Sequence, residues 1–319
     1  MKDEMKKITK KKLNEILEKH KKWLEHKDGG KRADLRNADL RSAYLRNADL
    51  RSAYLNNADL SNADLRSAYL NNADLRSAYL NNADLSNADL RSAYLRNADL
   101  RSAYLNNADL NNADLNNADF RNADLSNADL SNADLSNAYL RSANLNNAYL
   151  SNADLRSANL NNADLSNADL SNADLSNADL RSANLNNAYL RSANLNNADL
   201  SGAKNIPFIP IACPDYGSFI GYKIVENNYI VELEILSDAK RCSATGRKCR
   251  CSKAKVLNIQ NIDGRIAEIT EVASKYNRDF IYKVGEIVEV PNFCEDRWQE
   301  CAAGIHFFIN RQEAVDYHC

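Results

Sequence analysis

No cysteine precedes Cys213 in this 319-residue chain, and all seven fall between Cys213 and Cys319. An odd number gathered at one end does not make a disulfide framework. No apolar run approaches the roughly 18–20 residues that span a bilayer. The N-terminus MKDEMKKITK also lacks the apolar stretch of a secretory signal. These absences set a reducing cytoplasm as the expected location, with no membrane partner. Net charge is nearly missing too, since 41 Lys and Arg face 43 Asp and Glu. Its distribution is uneven: 11 basic and 6 acidic residues in 1–31, 15 Arg and 21 Asp in 32–203, and 15 basic and 16 acidic residues in 204–319. This is a mild dipole, far from a charged tail.

What the sequence does hold is a repeat. From Leu35 to Leu200 a Leu stands at every fifth position, with Phe120 the one substitution and an Ala two residues before each. The result is 34 copies of Ala-(Asp/Tyr/Asn)-Leu-(Arg/Ser/Asn)-(Asn/Ser). Five residues advance an α-helix by about 500°, so the Leu would wander round every face. On a continuous strand the odd period sends alternate Leu to opposite sides. The chain must therefore turn once per repeat. Ala and Leu, two apart on a short extended segment, point inward together. The residue between them and the one after Leu face out, and the last Asn or Ser falls at a corner, where it tolerates unusual backbone angles. Four corners close a coil of about 20 residues, and coils stacked at roughly 4.8 Å make a rod about 40 Å long.

Runs such as ADLRN, ADLSN and AYLRS, unbroken through the array, resemble the pentapeptide-repeat family. That resemblance implies a right-handed quadrilateral β-helix with no catalysis in the coil. It also implies, for some members, a likeness to B-DNA in size and charge and inhibition of DNA gyrase.

Residues 20 apart share a face in such a coil. Asp114, Asp134, Asp154 and Asp174 then form one column of carboxylates, and Asp89, Asp109 and Asp129 another. Like charges about 5 Å apart repel by roughly 1 kcal/mol in water, and no structural benefit of the column is visible from sequence. Two readings follow: a ladder that mimics phosphates, or a solvated face relieved by Arg96, Arg156 and Arg181. The 15 Arg dilute the field that a mimic needs, which favours the solvated face. Tyr44, Tyr54, Tyr69, Tyr79, Tyr94 and Tyr104 never fall 20 apart, so no aromatic stripe forms. Ten-residue blocks such as RSAYLNNADL recur verbatim, as duplication of a cassette would produce.

An open coil exposes Leu and unpaired strand edges, so its ends need covers. Leu13, Ile16, Leu17, His20 and Leu24 at helical spacing, with Thr9 as N-cap and Gly29-Gly30 as stop, predict a capping helix within 8–28. The competing reading, a basic helix on a membrane surface, fits the short link into the first repeat less well. His20 reads as packing and not as a ligand. The leader LNEILEKHKKWLEHKDGGKRADL resembles those before other bacterial and phage arrays.

The repeat ends at Gly202, and Pro207 and Pro210 suggest a linker. Three parts are expected: a capping helix over 1–31, a β-helix over 32–203 and an α+β domain over 204–319. In the last, hairpins are predicted for 219–225 with 229–236, for the segments flanking Asp263-Gly264, and for FIYKVGEIVEV bent at Gly285. A strand and then a helix with Asn310 and Glu313 at its start close the chain. PDYGSFIGYK, DAKRCSATGRKCRCSKAKVL and RWQECAAGIHFF resemble a domain of unassigned chemistry that follows other such arrays.

Lys240, Arg241, Arg247, Lys248, Arg250, Lys253 and Lys255 form a run of seven cations with no acid among them. They read either as a phosphate or nucleic-acid patch or as a solvated basic loop. Cys242, Cys249 and Cys251 lack finger spacing for zinc, and a fourth ligand such as His306 is remote. Cys301 and His306, an odd five apart, would point to opposite faces of one extended segment and make a poor nucleophile pair. The sequence thus predicts a non-enzymatic scaffold that needs no cofactor and no metal. Its rod would present the C-terminal domain to a protein partner or to a second copy. The candidate contact residues are Asp114, Asp134, Asp154, Asp174, Arg247, Lys248 and Arg250, with DNA gyrase as the alternative partner.

Overall fold

The computed structural model describes residues 5–207, 212–243, 247–297 and 302–317. It is mainly β and divides into two compact units, Met1–Phe208 and Ile209–Cys319.

In the first unit the repeat settles its backbone hydrogen bonds in one way throughout. Leu60 N–H donates to the Tyr79 carbonyl at 2.7 Å, Asn62 N–H to Asn81 at 3.0 Å, and Asp64 N–H back to Ala43 at 2.9 Å. Ala63 N–H closes a β-turn onto Leu60 at 3.0 Å. Parallel bridges run from Asp34↔Tyr54 to Asn184↔Lys204, each joining a residue to its counterpart four repeats on. One coil is therefore four repeats, with a turn in each. At every corner from Asn37 to Asn197 the Asn or Ser holds a left-handed φ between 54° and 60°, the region Asn enters at least cost among residues with a side chain. Ala and Leu fill the interior, and Phe120 is fully buried where Leu would stand. The ladder runs on past the expected stop at Gly202, as far as Lys204. Ala203 keeps the period, and Asn205 stands where the next Leu would be.

Helix α1 (Lys10–Leu24) starts with Thr9 Oγ1 accepting the Lys12 N–H at 3.2 Å. Leu13 and His20 are buried, and Ile16, Leu17 and Leu24 are half-buried. The helix stops before Gly29-Gly30 because His26 takes a left-handed φ of 53° and Lys27 N–H closes onto the Lys22 carbonyl at 2.8 Å. His20 accepts the Ala33 N–H on Nδ1 at 3.1 Å and stacks on Trp23 with centroids 5.4 Å apart. Burial lowers its pKa, which suits a neutral ring acting as acceptor. Ahead of the helix, Lys6–Lys7 pair in parallel with Ala38–Asp39. Leu35, Leu40, Leu45 and Leu50 of the first coil are accordingly as buried as Leu in the middle of the array.

Gly30 fixes how closely the helix and the first repeat approach, since a Cβ there would lie 2.5 Å from the Trp23 nitrogen. Gly30→Ala should therefore loosen the cap by about 1–3 kcal/mol. Hydrogen exchange would show this as faster exchange over residues 33–52, with residues 100–140 unchanged. Equal protection in both variants would mean the cap does not depend on this contact.

In the second unit β1 (Phe219–Ile224) and β2 (Ile230–Ile235) form an antiparallel hairpin turned at Asn227 and Asn228, both left-handed. They are followed by β3 (Arg241–Ser243), β4 (Cys249–Cys251), β5 (Lys253–Gln260), β6 (Glu271–Ala273), β7 (Ile281–Lys283), β8 (Ile287–Glu289) and β9 (Ile305–Phe307). The order β8-β5-β2-β1 makes a four-stranded antiparallel sheet, β9-β4-β3 a three-stranded one, and β6-β7 a pair. Val231, Leu233, Ile235, Val256, Ile259, Tyr282 and Phe307 meet in its core.

Two pairings differ from expectation. Asp263-Gly264 closes only the single bridge Gln260↔Ile266, because β5 gives its edges to β2 and β8. FIYKVGEIVEV supplies β7 and β8, but they do not pair with each other. Gly285, at a φ of 85°, hands the chain from the β6-β7 pair to β5, where its N–H meets the Val256 carbonyl at 2.8 Å. Helix α2 (Arg311–Val315) is the one α-helix of this unit among the described residues. Asn310 Oδ1 caps it, accepting the Gln312 N–H at 2.8 Å, while Glu313 is taken by Arg247.

Candidate functional site

The outward residue between Ala and Leu proves to have work inside its own repeat. The ladder and the turn leave one N–H per repeat without a backbone partner, that of the residue after Leu. Wherever the outward residue is Asp, its Oδ1 accepts that N–H at 2.9–3.4 Å. Asn144, Asn159, Asn184 and Asn194 accept in the same way. Tyr offers no acceptor at this position. The structural benefit that the sequence reading did not find is therefore an Asx turn, written in the spacing Asp-Leu-x.

Asp114, Asp134, Asp154 and Asp174 do stack through successive bridges, as do Asp89, Asp109 and Asp129. Neither column is a row of bare charges. Arg156 grips Asp154 with bonds of 2.8 and 2.5 Å and holds its carboxyl below the usual range. Arg96 lies 3.5 Å from Asp114, Ser136 donates its hydroxyl to Asp134, and Asn194 donates to Asp174 at 3.0 Å. In the second column Arg91 bridges Asp89 at 2.6 Å and Asp109 at 3.5 Å. Burial first, then the Asp129 charge, still push Asp109 up against the hydrogen bond it receives from Asn111. Arg181 does not relieve the first column as expected. It pairs with Asp179 and Asp199 on a different face. Each of the six Tyr named above has only Asp neighbours along its face.

The run of seven cations is dispersed by the fold. Arg241 donates to the carbonyls of Leu236 at 2.8 Å and Gly217 at 2.9 Å. Arg250 is buried and donates to the carbonyls of Cys294 at 2.9 Å and Asp296 at 3.0 Å. Arg247 pairs with Glu313, Lys240 with Glu295, and Lys253 with Asp238. These cations hold loops together and do not form one patch. Lys248 is different. Its Nζ sits 3.3 Å from the Tyr317 hydroxyl, and it lines a cavity of about 270 Å³ with Lys223, Ile224, Tyr276, His306, Phe308 and Tyr317.

Lys223 was missed by sequence reasoning. It lies on β1 at an inward position, two residues after Gly221, and is only 9 % exposed. Burial first, then the neighbouring Lys248 charge, push its amine down to about 8. Among the described residues its side-chain ammonium makes no hydrogen bond and no ion pair, although its backbone pairs with Val231 in the sheet. The available signal was a lysine falling in phase with the core face of a strand.

The residues weighed for zinc do not converge. Register sets Cys242 opposite Arg250 and Arg250 opposite His306, while Cys249 and Cys251 take the other face of the sheet. Burial pushes the Cys251 thiol up to about 12, far from thiolate chemistry. Cys301, the other half of the weighed pair with His306, lies outside the described residues.

A profile of pentapeptide repeats matches overlapping segments from residue 31 to residue 204, and residues 209–314 match a family of unknown function (DUF5758). No curated protein sequence is similar to the chain. Similar solved structures include HetL, a pentapeptide repeat protein involved in heterocyst differentiation regulation from the cyanobacterium Nostoc sp. strain PCC 7120. It is 41% identical over 54% of this chain and 82% of that one, with a TM-score of 0.29. Full-length QnrB1, a plasmid-mediated fluoroquinolone resistance protein, is 22% identical over 54% of this chain and 91% of that one, with a TM-score of 0.38. No helix among the described residues is long and apolar enough to cross a membrane. With the profile covering more than half of its length and the same turn recurring in every repeat, the chain belongs to the pentapeptide-repeat family.

Proposed function

We propose that this protein is a non-enzymatic scaffold. Its β-helix, right-handed and square in section, is a rod over 32–203, capped by 1–31, that presents residues 204–319 to a protein partner or to a second copy of the chain. The observation that carries this reading is the use made of the outward carboxylates. Each is taken up by its own turn, and many by an Arg as well, so the surface serves the coil before it serves any ligand. A stack of like coils with a covered start is what a solenoid needs in order to stand as a rod.

A second reading draws on the column of Asp114, Asp134, Asp154 and Asp174: the coil would occupy the DNA groove of a type II topoisomerase. Titrating gyrase supercoiling with the full-length chain and with a variant carrying Asn at all four positions separates the two. The scaffold expects no inhibition from either protein. Inhibition by the parent that disappears in the variant would transfer the function to DNA mimicry. Deleting residues 86–125 removes two whole coils and rejoins Leu85 to Ser126 in phase. That shortened rod should keep the exchange protection of the remaining coils, whereas a mimic should lose potency with length.

A further inference from the structure

We propose that the cavity of the C-terminal unit binds a small organic anion, its acidic head between Lys223 and Lys248 and its apolar body against Ile224, Phe308 and Tyr317. Lys223 is nine-tenths buried, lines the cavity, and faces a second ammonium, and among the described residues no carboxylate pairs with either lysine. Two cations held together in a largely apolar wall repel each other and have lost much of their water. An anion placed between them reverses both penalties at once. Carboxylate and phosphate heads share this chemistry.

The walls bound the rest of the ligand. The cavity is about 270 Å³, at the low end of small-molecule sites, which run to about 300–1,000 Å³. A second cavity of about 400 Å³ shares Lys223, Tyr276 and His306 and leaves room for a somewhat longer body. Aromatic and aliphatic side chains dominate the lining of the first, so a bare inorganic ion would use only half the site.

The groups that bear on Lys223 are Lys248, His306, Tyr276, Tyr317 and Cys251, with Glu289 in the wall of the adjoining cavity. An anion binds the ammonium and not the amine. Affinity should thus be highest below about pH 8 and fall as pH rises through the Lys223 pKa.

The test is isothermal titration of the full-length chain at pH 7 with phenyl phosphate, benzoate and benzyl alcohol. One or both anions should bind one to one, at least tenfold tighter than the neutral alcohol. Lys223→Met and Lys248→Met should each erase that preference while leaving the alcohol's weak binding unchanged. The proposal is overturned if neither anion outbinds the alcohol, or if a folded Lys223→Met keeps the anion preference. Should Lys223→Met fail to fold, Lys248→Met decides: unchanged anion affinity in that variant also overturns it.

Discussion

Lys223→Met should stabilise the C-terminal unit by roughly 3 kcal/mol at pH 7. In an unfolded chain a lysine titrates near 10.4, while in the folded protein the Lys223 amine sits at about 8. Below pH 8 both states carry the proton, and the fold bears the whole penalty of a buried, unpartnered charge. Between about 8 and 10.4 the folded amine has released its proton and the unfolded one has not. The unfolded state then binds more protons, so the parent gains stability as pH rises. The advantage of Met should therefore be largest below pH 8 and vanish by about pH 10.5. Hydrogen exchange of the Val231 and Leu233 amides, which sit in the central pair of the four-stranded sheet, reports opening of this unit. A gap that ignores pH would show that packing volume, and not charge, sets the difference.

Replacing Asp114, Asp134, Asp154 and Asp174 together should give opposite results for Asn and for Ala. Asn keeps the acceptor oxygen, and Asn194 already fills the next position of this column with its Oδ1 on the Asn196 N–H at 3.1 Å. The Asn set should melt close to the parent, less only the small exposed contributions of Arg156 to Asp154 and of Arg96 to Asp114. Ala removes four turn hydrogen bonds at about 0.5–1 kcal/mol each, for roughly 2–4 kcal/mol in all. Relief of like-charge repulsion offsets part of this, and equally in both sets. Thermal melts of the two full-length variants by circular dichroism give the comparison. If Ala and Asn behave alike, the Asx turns contribute nothing and the carboxylates need another explanation. The Asn set is for the same reason the cleaner charge deletion in the supercoiling assay.

The rod was legible because its code is local. Ala and Leu two apart, a corner residue that accepts left-handed angles, and an odd period leave a coil with one turn per repeat as the arrangement that buries every Leu. The purpose of Asp was present in the same five letters. It becomes visible only when each N–H of the coil has been assigned and that of the residue after Leu is left over. The C-terminal unit was less legible because its pairings are long-range. β5 pairs along its length with β2 and β8 and keeps only the single bridge Gln260↔Ile266 across Asp263-Gly264, a choice no local turn signal encodes. The seven clustered cations part company in the fold for a related reason. Adjacency along the chain places Arg241 and Arg250 on loop carbonyls and Arg247 on Glu313, whereas the cation that faces Lys248 comes from β1, outside the cluster altogether.

The duplicated blocks and the coil have incommensurate lengths. Residues 41–65, 66–90 and 91–115 are near-copies of one unit of five repeats, whereas the ladder closes after four. Each copy therefore starts a quarter-turn further round than the last. Tyr44, Tyr69 and Tyr94 climb the rod as a staircase, one step per face, and the same position of successive copies never stacks on itself. A gene that lengthens by such units changes the height of the array freely while scattering its decoration. Only insertion of a whole coil would preserve a column, so growth by this cassette spreads any surface pattern round the rod.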